Sequence, residues 1–133
     1  MKKELQDKLY EKHPDIFKQK DLPMTETAMC WGIQCSDGWF DLIDNLCTDI
    51  QEHIKKNKLA QVEATTVKEK FGTLRFYIDT GFNDEIYEMI QKAEEMSCFI
   101  CEHCGAAEDV TQTTGWIVTL CPACMKEYKK RKL

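Results

Sequence analysis

Four cysteines near the C-terminus constrain the fold of this chain more than any other feature. They form two Cys-x2-Cys pairs, Cys101–Cys104 and Cys121–Cys124, with sixteen residues between the pairs. Two turns of this kind can direct four sulfurs to one point, which completes a tetrahedral shell around zinc. Because four thiolates leave no open position on the metal, such an ion is structural and not catalytic. The spacing therefore predicts one structural zinc ion held by Cys101, Cys104, Cys121 and Cys124.

Cys98 and His103 leave the ligand set open to an alternative. Cys98-x2-Cys101 has the same spacing as Cys101-x2-Cys104, and His103 is also a possible zinc ligand. We favour the pair that ends at Cys104 because Gly105 follows it, and glycine permits the positive φ that a tight metal-binding turn often needs. Cys98 is then expected to be a buried thiol at the end of a helix.

The sequence also bears on the compartment and on the state of the thiols. Eight cysteines occur in 133 residues. The N-terminus is polar, unlike a secretion signal, and no stretch reaches the ~18 apolar residues of a membrane span. We expect a cytoplasmic protein, in which reduced thiols in clustered pairs bind metal instead of forming disulfides.

Hydrophobic periodicity predicts an α+β fold with two main helices packed on a β-hairpin. Apolar residues recur at three- and four-residue intervals across residues 39–54, which indicates a long helix that Ser36 or Asp37 could cap. A second main helix begins after Asn83, and a short helix opens the chain. The mixed segment of residues 15–37 is expected to pack as an ordered loop.

The pattern of residue types in residues 60–79 predicts the β-hairpin. Both halves of this segment are rich in β-branched and aromatic residues, and Gly72 lies between them. Alternate apolar residues from Leu74 to Ile78 should face one side of the sheet. Residues 80–82 would close the second strand.

Residues 98–133, which we call the four-cysteine module, are predicted to dock on an α+β domain of residues 1–97, the main domain. Residues 111–120 suit a short hairpin, and Pro122 suits the first turn of a terminal helix. A metal-binding turn followed by a hairpin and a helix describes a treble-clef or zinc-ribbon-like module.

The charge balance argues against non-specific nucleic-acid binding. The net charge is −5, from 18 Lys and Arg against 23 Asp and Glu, whereas binding of this kind neutralises phosphates with cations. The basic tail at residues 126–132 still resembles a nucleic-acid patch, although cations at a helix C-terminus more often complement the helix dipole. A nucleic-acid-binding zinc-finger protein is therefore the alternative function.

Lys68, Lys70, Arg75 and Tyr77 are the candidate ligand-binding residues of the hairpin. On its exposed face they would form a cationic and aromatic patch able to bind a phosphate or a carboxylate. Cations on an open strand are more often solvated or paired with acids of the same hairpin.

Other residues bear on the same candidate site. Glu63 and Glu69 are acids that could pair with the hairpin cations. Trp31, Asp37 and Trp39, near the start of the long helix, could add an aromatic wall and backbone amides to a pocket. Tryptophans in such positions more often belong to the core.

No catalytic residue is assigned. Cys35 and Cys47 could be paired with His13 or His53, but no pattern in the sequence places a base beside a thiol. Phosphate-binding, dinucleotide-binding and metalloprotease motifs do not occur. A non-enzymatic protein is therefore expected.

Two segments, residues 30–39 and 67–77, together with the later cysteine pairs, resemble small proteins encoded in phage, prophage and bacterial genomes. In that group a Gly-Asp-Gly-Trp-like stretch leads into a helix, a Lys-Phe-Gly-Thr-Leu-Arg-Phe stretch forms a strand, and a Cys-x-x-Cys-Gly turn follows. This chain has Ser36 in place of the first glycine, and Cys124 where some of those proteins have histidine. The resemblance implies the architecture and a mobile-element origin, and it implies no reaction.

These observations predict a zinc-stabilised accessory or binding protein of the phage or prophage type. Its partner would be a host protein or a small anionic, phosphate-bearing ligand that Lys68, Lys70 and Arg75 bind. A membrane partner is not expected.

Overall fold

A computed structural model of the chain describes residues 1–79 and 83–132, and it has the predicted α+β fold. The elements that bear on the site, in chain order, are α1 (Lys3–Lys12), β1 (Ile33–Gln34), α2 (Phe40–Asn57), β2 (Glu63–Lys70), β3 (Thr73–Asp79), α3 (Asp84–Met96), β4 (Thr111–Gln112), β5 (Thr119–Leu120) and α4 (Pro122–Lys132). Residues 80–82, predicted to close the second strand, lie outside the described residues.

The long helix α2 presents one apolar face to the core, as its periodicity predicts. Six of its residues are buried, namely Leu42, Ile43, Leu46, Cys47, Ile50 and Ile54. The helix ends at Lys58, whose left-handed φ of 52° stops it while its N–H bonds back to the last turn. Neither Ser36 nor Asp37 caps the other end, because a short 3-10 turn precedes Phe40 and the Asp37 carboxylate accepts the Lys2 N–H instead, at 2.8 Å.

The predicted hairpin is part of a three-stranded mixed sheet in the order β1-β2-β3. β2 and β3 pair antiparallel, with Val67 opposite Phe76 and Lys68 opposite Arg75. Val67 and Phe76 are buried beneath the helices, so Lys68 and Arg75 lie on the outer face of the sheet. The two-residue strand β1 pairs parallel with β2, and its Gln34 lies beside Lys68.

Helix α3 covers the sheet and also protects its outer edge. Asn83 caps this helix, accepting the Ile86 N–H at 3.0 Å. At the free edge of β3, the Leu74 N–H donates to the Ser97 hydroxyl and the Phe76 N–H donates to the Glu94 carboxylate, both at 2.9 Å. Side chains thus satisfy donors that an edge strand would otherwise offer to another chain.

The segment of residues 15–37 is an ordered connection with a mixture of buried and exposed apolar residues. Met29 and Ile33 join the core, whereas Met24 and Trp31 are exposed. The backbone of this segment bonds to β2, with the Ala64 N–H donating to the Ile16 carbonyl at 2.8 Å. Trp31 is therefore not a core tryptophan, because its side chain lies on the surface and not beneath the helices.

The four-cysteine module contacts the main domain through hydrogen bonds on two sides. At the start of α2, the Gly38 N–H donates to the Glu102 carbonyl at 2.7 Å, and the Trp39 indole N–H donates to the Ile100 carbonyl at 2.9 Å. At the β2–β3 turn, the Thr119 hydroxyl donates to the Gly72 carbonyl at 2.6 Å. These bonds fix the module against both α2 and the sheet.

None of the helices within residues 1–79 and 83–132 combines the length and apolar character that crossing a membrane requires.

We predict that Gly38→Ala weakens this junction. A Cβ at Gly38 would lie 2.5 Å from the Glu102 carbonyl oxygen and 2.6 Å from its carbonyl carbon, and it would also meet the Cys101 oxygen. Because these are backbone atoms, we expect thermal denaturation to show a loss of about 2 kcal/mol or more in unfolding free energy. Gly115→Ala is the control, since nothing lies within 4 Å of its Cβ and only its positive φ costs energy, about 1 kcal/mol. Equal stability of Gly38→Ala and wild type would contradict this account.

Candidate metal centre

Two short turns bring four cysteine sulfurs together. In the first turn, the Gly105 N–H donates to the Cys101 carbonyl at 2.9 Å, and Gly105 has the positive φ of 83° that its position in the sequence suggested. In the second, the Met125 N–H donates to the Cys121 carbonyl at 2.8 Å as α4 begins. The sulfurs of the four lie within 4.8 Å of one another, and the residues are Cys101, Cys104, Cys121 and Cys124.

The arrangement of these sulfurs suits a metal ion. All four cysteines are free, and the sulfurs of Cys104 and Cys121 are 3.6 Å apart, well beyond the ~2.05 Å of a disulfide. Four sulfurs at ~2.3 Å from a tetrahedral ion lie about 3.8 Å from one another. The four cysteines therefore form a metal site with a donor set of sulfur only.

Backbone amides point at the sulfurs of this site. The Cys104 N–H approaches the Cys101 sulfur, and the Cys124 N–H approaches the Cys121 sulfur, each at 3.5 Å. The Cys124 N–H lowers the pKa of the Cys121 thiol to about 7, whereas burial and the neighbouring cysteines raise the pKa of Cys124. At Cys121 the amide favours thiolate, the form that binds metal, and a cation would offset the repulsion among four thiolates.

Cys98 and His103, the alternative ligands, lie outside this cluster of the described residues. Cys98 is half-buried in the 3-10 turn Ser97–Phe99 that follows α3. It is thus at the end of a helix as expected, but less buried than expected. His103 is exposed between the two cysteines of the first turn.

Glu102 connects the site to the main domain, a role that sequence reasoning missed. One carboxylate oxygen accepts the Ser36 N–H at 3.0 Å, just before α2. Burial raises the pKa of Glu102, and the charge of Glu69 adds to that effect. No pattern in the sequence predicts the contact between Ser36 and Glu102, because the two residues are far apart along the chain.

The predicted hairpin patch has the expected cations on one face. Lys68, Lys70 and Arg75 lie on the outer surface of β2 and β3, which we call the cationic face, and Tyr77 is exposed beside them. Within the described part of the chain, no ion pair involves any of these three cations.

The acids that could have paired with the cations have other partners. Glu69 accepts the Gly72 N–H at 2.7 Å. Glu63 lies opposite Asp79, and the Gln19 amide donates to both carboxylates, to Glu63 at 3.2 Å and to Asp79 at 2.5 Å.

The remaining candidate residues are dispersed. Trp39 is fully buried and Asp37 pairs with Lys2, whereas Trp31 lines a different cavity together with Gln6. Trp39 therefore belongs to the core, and the three residues form no common wall with the cationic face.

The two histidines that were considered as bases have carboxylate partners. His13 lies 2.7 Å from Asp44, and His53 lies 2.7 Å from Glu85. Cys47 is fully buried, and burial raises its pKa well above the usual value. The ordinary chemistry of an activated thiol, which needs a lowered pKa and access to solvent, is not supported at this position.

Comparison of the chain with protein-family models, with curated proteins and with solved structures finds no match.

We predict that Cys35 and Cys47 resist alkylation in the folded protein. Burial raises the pKa of Cys35 to about 12 and also raises the pKa of Cys47 well above its usual value, so both remain protonated at pH 8. Iodoacetamide labelling followed by peptide mass spectrometry should show both at least tenfold slower than the half-buried Cys30 or Cys98. Labelling of all four at the same rate in protein that is still folded would contradict this assignment.

Proposed function

We propose that the four cysteines hold one structural zinc ion. Thiolate ligands favour zinc over magnesium or calcium, and zinc readily adopts the tetrahedral shell that four sulfurs supply. When bound, zinc would link the turn at residues 101–104 to the start of α4. Four sulfurs leave no position for water or substrate, so the ion would stabilise the fold and take no part in a reaction.

Cys104→Ser should lose the metal and much of the stability of the module. Replacing one sulfur weakens a site whose binding energy is also folding energy, and we expect a loss of at least about 3 kcal/mol, or roughly 10 °C in Tm. Inductively coupled plasma mass spectrometry and thermal denaturation would measure both effects. Cys98→Ser is the matched control, and it should retain one zinc per chain. Full zinc content in Cys104→Ser would contradict the assignment.

We further propose that the protein is a non-enzymatic binding protein whose cationic face takes an acidic partner protein. The observation that carries this proposal is the placement of Lys68 directly opposite Arg75. Like charges in directly opposed positions destabilise a sheet. Both residues are half-buried and neither has an ion-pair partner among residues 1–79 and 83–132. An anionic group from outside the chain would offset their repulsion.

The shape of this surface favours a partner protein over a small anion. Lys68, Lys70 and Arg75 extend along two strands of an open sheet face, with Gln34 and Tyr77 beside them. A surface of this kind suits several carboxylates spaced along a partner, whereas a single phosphate is usually enclosed by convergent donors.

The resemblance to small phage and prophage proteins supports an accessory role of mobile-element origin, with a host protein as the partner. The alternative, nucleic-acid binding through the tail, has less support because the tail cations lie in the last turns of α4, where they complement the helix dipole. One tail cation, Lys130, also lies 3.8 Å from Glu127.

The double variant Lys68→Ala/Arg75→Ala should lose binding and keep or gain stability. Removing the opposed charges relieves repulsion of up to about 1 kcal/mol, while binding to fluorescein-labelled poly-L-glutamate should weaken at least tenfold at low salt. Fluorescence anisotropy and thermal denaturation would measure the two effects.

Lys129→Ala/Lys130→Ala makes the same change in charge on the tail and is the control. Unchanged poly-L-glutamate binding in Lys68→Ala/Arg75→Ala, or no binding by wild type, would contradict the proposal. Tighter binding of inorganic phosphate would favour the small-ligand function. Binding of a dT12 oligonucleotide that depends on Lys129 and Lys130 would favour the nucleic-acid alternative.

A further inference from the structure

The turn between β2 and β3 carries a residue that its backbone disfavours. Phe71 and Gly72 have φ values of 54° and 78°, so this two-residue connection has the positive φ at both central positions that defines a type I′ turn. Asn-Gly is strongly preferred in such turns, whereas a bulky side chain at positive φ is uncommon and strained. The turn alone does not explain why phenylalanine is present.

The ring of Phe71 does little for the folded core. Phe71 is 67% exposed. The Lys70 ammonium lies over its ring, 5.6 Å from the ring centroid. Strained residues cluster at functional sites, so Phe71 motivates a hypothesis of function.

Trp116 lies at the tip of the β4–β5 hairpin and, like Phe71, lines the cleft between the two hairpins. Its side chain is 75% exposed. The connection that carries it is held at its base, since the Thr113 hydroxyl donates to the Trp116 carbonyl at 2.7 Å and accepts the Val118 N–H at 2.9 Å. Trp116 is thus presented on an ordered turn.

The two hairpin tips are held side by side. The Thr119 hydroxyl donates to the Gly72 carbonyl at 2.6 Å and accepts a hydrogen bond from the Gln112 amide at 3.0 Å. A Cβ at Gly72 would lie 2.7 Å from a methyl group of Ile117, so the tips approach as closely as glycine allows. The separation of Phe71 and Trp116 is therefore set by the fold.

Between the tips lies a cleft of about 340 Å³, which we call the aromatic cleft. It is lined by Glu69, Lys70, Phe71, Gly115, Trp116 and Ile117. Its volume is within the range of roughly 300–1,000 Å³ typical of ligand sites. The Glu69 carboxylate of this lining accepts the Gly72 N–H, and the Lys70 ammonium is the cation of the lining.

We propose that the aromatic cleft receives one large apolar side chain of an acidic peptide segment, whose carboxylates lie on the cationic face. This inference rests on the proposed function and adds the feature by which the partner is selected. Lys70 belongs to both surfaces, which makes them continuous. A second copy related by two-fold symmetry is a poor occupant, because its own cationic face would oppose this one.

Charge and lining distinguish this partner from a nucleic acid. Aromatic rings beside cations can also stack bases. Here, however, Glu69 lines the cleft beside Lys70, whereas single-stranded nucleic acid needs a groove that is positive along its length. An acidic segment with one apolar anchor needs only the three cations and the cleft.

The variant Phe71→Asn tests the proposal sharply, because it should improve the turn while removing the ring. Asn-Gly suits the type I′ geometry, so stability should be equal or higher. A displayed library of random 12-residue peptides, selected on the wild-type protein, should yield sequences with several acidic residues around a Leu, Phe or Trp. We expect these peptides to bind Phe71→Asn and Trp116→Ser at least tenfold more weakly, as loss of a buried apolar anchor requires.

Trp31→Ser, which removes an exposed tryptophan of a different cavity, should leave their affinity unchanged. Peptides that depend on Lys68 and Arg75 but not on Phe71 would overturn this inference and leave the proposed function standing. Peptides that depend on neither would overturn both. Failure to select any peptide, or dT12 binding that depends on Phe71 and exceeds peptide binding, would also overturn the inference.

Discussion

The convergence of four cysteine sulfurs is the constraint on which the rest of the structure depends. The four-cysteine module has a small core of its own, centred on Cys101, Leu120 and Cys121. Its strands β4 and β5 are two residues each. Such short strands do not hold a hairpin by themselves. An ion that joins both cysteine pairs would fix the segments that contact α2 and the β2–β3 turn, and the aromatic cleft between the tips exists only if that contact holds.

Two features of the sheet are expected to cost stability, and the proposed binding surface would account for both. Lys68 faces Arg75 across the strands, and Phe71 occupies a turn position that favours asparagine. At the free edge of β3, by contrast, the Ser97 hydroxyl and the Glu94 carboxylate accept the backbone N–H groups of Leu74 and Phe76.

The features that could be predicted from the sequence are those that a local pattern encodes. The spacing of the cysteines gave the four residues of the metal site, and three- and four-residue periodicity gave α2. The strand β1 was missed because two residues carry no period, and its pairing with β2 is set by contacts distant in sequence. The bond between Ser36 and Glu102 was missed for the same reason. Trp39 is buried and Trp31 is exposed, a difference that composition does not predict. The aromatic cleft could not be predicted either, because only the tertiary fold brings its two hairpins together.

The most direct test of the central claim is X-ray absorption at the zinc edge of protein purified from cells and kept under reducing conditions. A structural ion in a closed shell predicts four sulfur neighbours at ~2.3 Å and no oxygen or nitrogen neighbour. A spectrum with three or fewer sulfurs and a light-atom neighbour at ~2.0 Å would show an open position or a histidine ligand. That result, or the absence of bound zinc, would contradict the account.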